Sequence, residues 1–267
     1  MYSTGLLDRS MRTKGPVVAL LFGSVAFVLN ASVAVHELGH LVADRLFGLE
    51  ASVVLDPLGG SHVVLAQPWP SDMSVVPVVA GPLANVAVGA ILFLGLWRWR
   101  SPYLVPALIW GPIALIQEST TALVQVGTRE AGTDWVLIID AGMPGALIVA
   151  LAGVGVLVGF AGLFLLLPVS GLEPETPLWS RLGTLILGMG GYPVLTIGLT
   201  LAFSDAGPNV SRNIRITAFV VLIAIFLAVL YPAVSRRHRL EVADVPRSAG
   251  WTAMALGAVV FVVFLVV

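Results

Sequence analysis

The chain has 267 residues, of which 58% are hydrophobic and only 11% charged, with a mean hydropathy of +0.98. About a quarter of a soluble globular protein is charged, so this composition excludes a soluble domain and points to a polytopic membrane protein. The net charge of −1 and the lack of a basic stripe give no reason to expect nucleic acid as a partner, and the absence of cysteine excludes disulfides and thiolate ligands. Any metal must therefore be held by His, Asp or Glu.

Residues 1–15 form a basic N-terminal segment with Arg9, Arg12 and Lys14. The apolar run that follows extends past Asn30 to Phe47, beyond the short core of a secretory signal, so 16–48 is read as a retained membrane element. Further apolar segments lie near 74–97, 103–126, 143–169, 180–203, 214–234 and 249–267, each long enough to span at about 20 residues per crossing. The first is too long for one straight span, which a tilt, a kink near Asn30 or a division into two pieces would each accommodate. The expectation is an all-α polytopic protein of about six to seven transmembrane helices. Counted with the N-terminus inside, Arg9, Arg12, Lys14, Arg98, Arg100, Arg181, Arg236, Arg237, Arg239 and Arg247 fall on the inner side. Arg45, Arg129, Arg212 and Arg215 fall outside, so the bias favours a cytoplasmic N-terminus in a cell membrane. In that orientation His36, 22 residues past Lys14, stands nearer the outer face unless the helix bends back.

Within the first span, His36-Glu37-Leu38-Gly39-His40 is an H-E-x-x-H. Positions i and i+4 share a helix face, so two imidazoles can address one metal, with Glu37 beside them as a base for a water. A charged cluster inside a bilayer is expensive and is functional by default. Between the first two spans, residues 51–66 carry two β-branched runs around Asp56-Pro57-Leu58-Gly59-Gly60, the signature of a β-hairpin. Its open edge must be buried, line a wet cavity or lie at the interface; it is either a plain surface turn or a strand that receives an extended substrate. On the next span stands Asn85, either a packing amide between helices or a group that binds a substrate carbonyl or a developing oxyanion. Gln117 and Glu118 fall mid-span on the third and suit second partners of an imidazole N–H, or a water path.

A catalytic zinc takes three protein ligands and keeps one open position. Candidates for the third are His62, His238, Glu118, Glu130, Asp134 and Asp140. Asp134, in Gly132-Thr133-Asp134-Trp135, can project from a helix start as a ligand or simply cap that helix. The segments from 151 onward read as additional transmembrane helices, and His238, in the basic 235–248 loop, reads as solvated.

The H-E-L-G-H in a first membrane helix, followed by Ala80-Gly81-Pro82-Leu83-Ala84-Asn85 on the next, resembles the site-2 protease family of intramembrane zinc metalloproteases. The stretch from Gly132-Thr133-Asp134 to Ala141-Gly142-Met143-Pro144 is similar to the Asp-bearing segment of that family's smaller bacterial members. The resemblance covers about residues 20–150 and implies a metalloprotease core over 16–150. It implies Zn2+ held by His36, His40 and Asp134, with Glu37 catalytic and Asn85 binding substrate. The chain lacks the Leu-Asp-Gly form of the Asp motif, and Ile139-Asp140-Ala141-Gly142 is its nearest imitation, so Asp140 remains the rival ligand. The implied activity is hydrolysis of peptide bonds in membrane-anchored protein substrates, to release a regulator or clear signal-peptide remnants. The competing readings are a transporter or binding protein with a structural or regulatory metal, and an idle relative that binds membrane partners.

Overall fold

A computed structural model describes residues 15–56, 61–66, 75–129, 132–203, 208–238 and 241–266. The basic segment through Lys14, the hairpin turn at 57–60, Glu130 and the side chain of His238 lie outside what it describes. Among the described residues, seven helical stretches are long and apolar enough to cross a membrane: Gly15–Leu46, Val76–Trp99, Pro102–Thr128, Gly145–Leu166, Leu178–Ala202, Ile216–Ser235 and Arg247–Val266. A two-stranded antiparallel sheet stands between the first two. The chain is therefore the expected all-α polytopic membrane protein with a small hairpin.

Helix α1 (Gly15–Leu46) runs unbroken through Asn30, so a division into two pieces is not the solution adopted. Its 32 residues measure about 48 Å at 1.5 Å each, well over the hydrocarbon thickness. Asn30 does not interrupt it because its amide is satisfied in place, donating to Ala26 O at 2.7 Å and to Tyr192 Oη at 2.6 Å. The remaining helices are α2 (Val76–Leu96), α3 (Val105–Leu108), α4 (Trp110–Thr128), α5 (Asp134–Asp140), α6 (Gly145–Leu166), α7 (Leu178–Leu185), α8 (Gly191–Phe203), α9 (Pro208–His238) and α10 (Arg247–Val266). A wider-wound turn, Ile186–Gly190, joins α7 to α8.

Lipid tails are as apolar as leucine, so helices in a bilayer associate through close packing at small residues. That rule organises this bundle. On one side of α1, a Cβ at Gly23 would collide with the backbone of Ala253 and Met254 on α10, and one at Gly257 would stand 2.9 Å from Ala26 Cβ. On the other side, a Cβ at Gly39 would fall 2.6 Å from the Ala80 carbonyl of α2. Gly89 and Gly111 bring α2 onto α4, and Gly159 and Gly162 seat α6 against Pro112 of α4. The last helix, which reads in sequence as plain scaffold, thus grips the back of the helix that carries the H-E-x-x-H.

The hairpin pairs β1 (Ala51–Val54) with β2 (His62–Leu65), in register Ala51↔Leu65 through Val54↔His62. Arg45, at the end of α1, ties it down by donating from Nε and Nη2 to Ala51 O at 3.3 and 3.1 Å. Arg181, counted with the inner-side cations in the sequence, is 5% exposed. Its guanidinium donates to the carbonyls of Ala228, Pro174 and Thr176, so it joins α7 to α9.

The glycine contacts predict a contrast in stability. Gly23→Val should lower the thermal midpoint of the detergent-purified protein by several degrees, the consequence of an overpacking penalty of about 1–3 kcal/mol. Gly153→Ala, on α6 with nothing within 4 Å of the new carbon, should be neutral or slightly stabilising. Equal midpoints for the two variants would contradict the α1–α10 contact.

Candidate metal centre

Three atoms converge where α1, α2, α4 and α5 meet. His36 Nε2 and His40 Nε2 are 3.1 Å apart, and Asp134 Oδ2 lies 3.2 Å from the first and 3.5 Å from the second. Ligands at about 2.0–2.1 Å on the corners of a tetrahedron stand roughly 3.3 Å from one another, so the triangle has the dimensions of a zinc face. Among the described residues this is the one group of three metal-ligating side chains so gathered.

The hydrogen bonds behind the triangle say what its three atoms are. His40 Nδ1 lies 2.8 Å from the Pro77 carbonyl, which can only accept, so Nδ1 carries a proton and, in the neutral ring, Nε2 a lone pair. The hydrogen bonds behind His36 run through three helices. The Trp110 indole N–H can only donate, and it donates to Asn85 Oδ1 at 3.0 Å, which fixes the amide. Asn85 Nδ2 then donates to Glu118 Oε1 at 2.7 Å, so that oxygen is an acceptor, and His36 Nδ1 stands 3.0 Å from the same atom. His36 therefore also donates from Nδ1, and in the neutral ring its Nε2 carries the lone pair a metal would take. Two imidazole lone pairs and a carboxylate oxygen facing one another repel unless a cation sits between them. One metal ion at the centre would satisfy all three atoms at once. The residues present fit a zinc ion on this chemistry of the donor set.

Local sequence explains how each group arrives. Gly39 and Gly81 let α1 and α2 approach until a Cβ at Gly81 would strike the His40 imidazole, and that approach delivers Pro77 O to His40. Gly132, at φ +80°, takes a left-handed turn open chiefly to glycine, and Thr133 is the extended residue that opens α5. Asp134 is the first helical residue, and its carboxylate turns to the histidines. The backbone N–H of Trp135 is taken by Gln125 Oε1 at 3.1 Å. Of the two roles open to Asp134, ligand or cap, the geometry supports the ligand. Asp140 lies six residues on, about one and two-thirds turns around α5, exposed and outside the cluster.

Asn85 is not where a substrate could meet it. It is 0% exposed, it does not line the cavity, and its amide is engaged at both ends. The expectation of a substrate contact is corrected to a positioning role: Asn85 holds Glu118, and Glu118 holds His36. An ionised carboxylate at membrane depth costs about 2.5–3.5 kcal/mol on insertion scales, and each hydrogen bond to it returns about 1.5–3 kcal/mol, so the two bonds offset the burial.

A cavity of about 360 Å³ opens beside the triangle. Glu37, half-buried, lines it, as do Gln117, Thr121 and Gln125 from α4 and Ser61 and His62 from the hairpin. His62 stands outside the ligand triangle. Asp44, one turn past His40 on the same face of α1, also lines the cavity. Sequence reasoning passed over it, although its i+4 spacing from His40 was a visible signal. The Trp110 partner of Asn85 had no such signal, being 25 residues away on another helix.

Comparison of the chain with protein-family models, with curated proteins and with solved structures finds no match.

The relay behind His36 gives a direct expectation. Glu118→Gln should weaken zinc affinity about 10–100-fold, measured by competition with a chromogenic chelator, as loss of an outer hydrogen-bonding partner does elsewhere. An unchanged affinity would remove Glu118 from the site.

Proposed function

We propose that this chain is an intramembrane zinc metalloendopeptidase of the site-2 protease kind, acting on peptide bonds of membrane-anchored proteins. The observation that carries the reading is the convergence of His36 Nε2, His40 Nε2 and Asp134 Oδ2, with Glu37 on the same cavity, beside a helix long and apolar enough to span a membrane. A purely structural metal needs the histidines and the aspartate but has no use for a carboxylate next to an open cavity.

Zinc, when bound, supplies Lewis acidity towards a peptide carbonyl and brings a water's pKa down to about 7. His36 and His40 are held in the ligating tautomer by Glu118 and Pro77 O, so no reorganisation is needed to take up the ion. Glu37 accepts the proton of the attacking water and passes it to the leaving nitrogen. A peptide bond inside a transmembrane helix is shielded by side chains and internally hydrogen-bonded, so the substrate must unwind before it reacts. The hairpin, whose Ser61, His62, Val63 and Leu65 line the cavity, is suited to hold the unwound segment extended. With the N-terminus cytoplasmic, as the charge bias favours, the site stands about 32 Å along α1 from Gly15 and opens towards the outer leaflet.

The test is Glu37→Gln in the full-length protein, assayed by mass spectrometry on a library of single-span peptides. Zinc content should be unchanged and cleavage should fall at least about 100-fold, the usual size of a general-base contribution. Retained cleavage would rule out the role given to Glu37.

A further inference from the structure

We propose that Asp44 forms an acidic subsite of the cavity that takes a Lys or Arg side chain of the substrate; this rests on the protease reading. Asp44 is 2% exposed, lines the cavity, and its Oδ1 has no hydrogen-bond partner. A buried acceptor left without a donor is costly, and such atoms are rare in folded proteins. The neighbouring cation is already committed, since Arg45 donates to Ala51 O. The other carboxylates of the cavity differ from it. Asp134 faces the histidines, and Glu118 accepts from Asn85 and His36.

The charge of the whole cavity points the same way. Among the described lining residues are four carboxylates, Glu37, Asp44, Glu118 and Asp134, and no lysine or arginine. A divalent ion at the triangle neutralises two of those charges and leaves the cavity acidic. In a space of low dielectric such an imbalance selects a cationic guest. Distance then sets the register. Asp44 lies one turn beyond His40 and two beyond His36, about 6 and 12 Å along the helix axis. An extended peptide advances about 3.3 Å per residue, so a Lys or Arg two or three positions from the scissile bond reaches Asp44.

The experiment uses the full-length, zinc-loaded Glu37→Gln protein in detergent, which binds without cutting. The probes are fluorescent Leu/Ala-rich peptides of about 20 residues with a central Gly-Gly break, carrying Arg, Gln or Glu two residues from it. The Arg peptide should bind at least about tenfold more tightly than its Gln counterpart, the equivalent of one charge-assisted hydrogen bond. Adding Asp44→Asn should bring the two within about twofold, and Asp44→Lys should transfer the preference to the Glu peptide. The Arg-to-Gln comparison needs no Asp44 variant, so a poorly folded variant does not spare the proposal. Equal affinities in the Asp44 protein, or an Arg preference that survives Asp44→Asn, would overturn the subsite. A second zinc per chain that disappears with Asp44→Asn would overturn it in favour of a metal at Asp44. If neither peptide binds, the protease reading falls, and the subsite with it.

Discussion

Two hydrogen bonds, His36 Nδ1–H to Glu118 and His40 Nδ1–H to Pro77 O, are what the rest of this molecule depends on. Each commits an imidazole to one tautomer and turns its other nitrogen into a lone pair aimed at the same point. Without them the H-E-x-x-H would be two histidines free to rotate away from one another. With them, and with Asp134 closing the triangle, the chain gathers three atoms that could hold one metal ion. In water such an arrangement would relax by solvation. At the depth of a bilayer the partners must come from the protein itself, which is why the polar groups of this bundle form chains, as in Trp110–Asn85–Glu118–His36.

The scaffold follows from the need to bring those partners within hydrogen-bond reach of α1. Glycines do this on both of its sides. Gly39 and Gly81 draw in α2, so that a backbone carbonyl meets His40, and Gly23, Gly250 and Gly257 let α10 back the same helix from behind. Helix α5 is too short to span and serves another purpose: it starts at Asp134 after the left-handed turn at Gly132 and so presents a carboxylate from its first residue. The hairpin, tied to the end of α1 by Arg45, closes one side of the cavity without filling it.

The spans were legible because a run of about 20 apolar residues has few other uses, and the paired histidines were legible because i and i+4 share a helix face. The hairpin could be read from its two β-branched runs. What spacing does not fix is which way a side chain turns once several helices surround it. Asn85 illustrates this: Gly81 and Pro82 marked α2 as a place of close approach, yet the amide serves Glu118 and Trp110 and not the cavity. Asp134 and Asp140 stand on different faces of α5, but which face looks towards α1 is a tertiary fact. The pairing of α1 with α10 joins segments more than 200 residues apart, and only a sparse set of glycines marked it in the sequence.

The claim at the centre is that His36, His40 and Asp134 hold one zinc ion. Its most direct test is the zinc content, by mass spectrometry, of detergent-purified full-length protein prepared without chelators, beside Asp134→Ala and Asp140→Ala. About one zinc per chain is expected in the unaltered protein and in Asp140→Ala, and a loss of most of it in Asp134→Ala. An unaltered protein without zinc, or zinc that survives Asp134→Ala and is lost with Asp140→Ala, would contradict it.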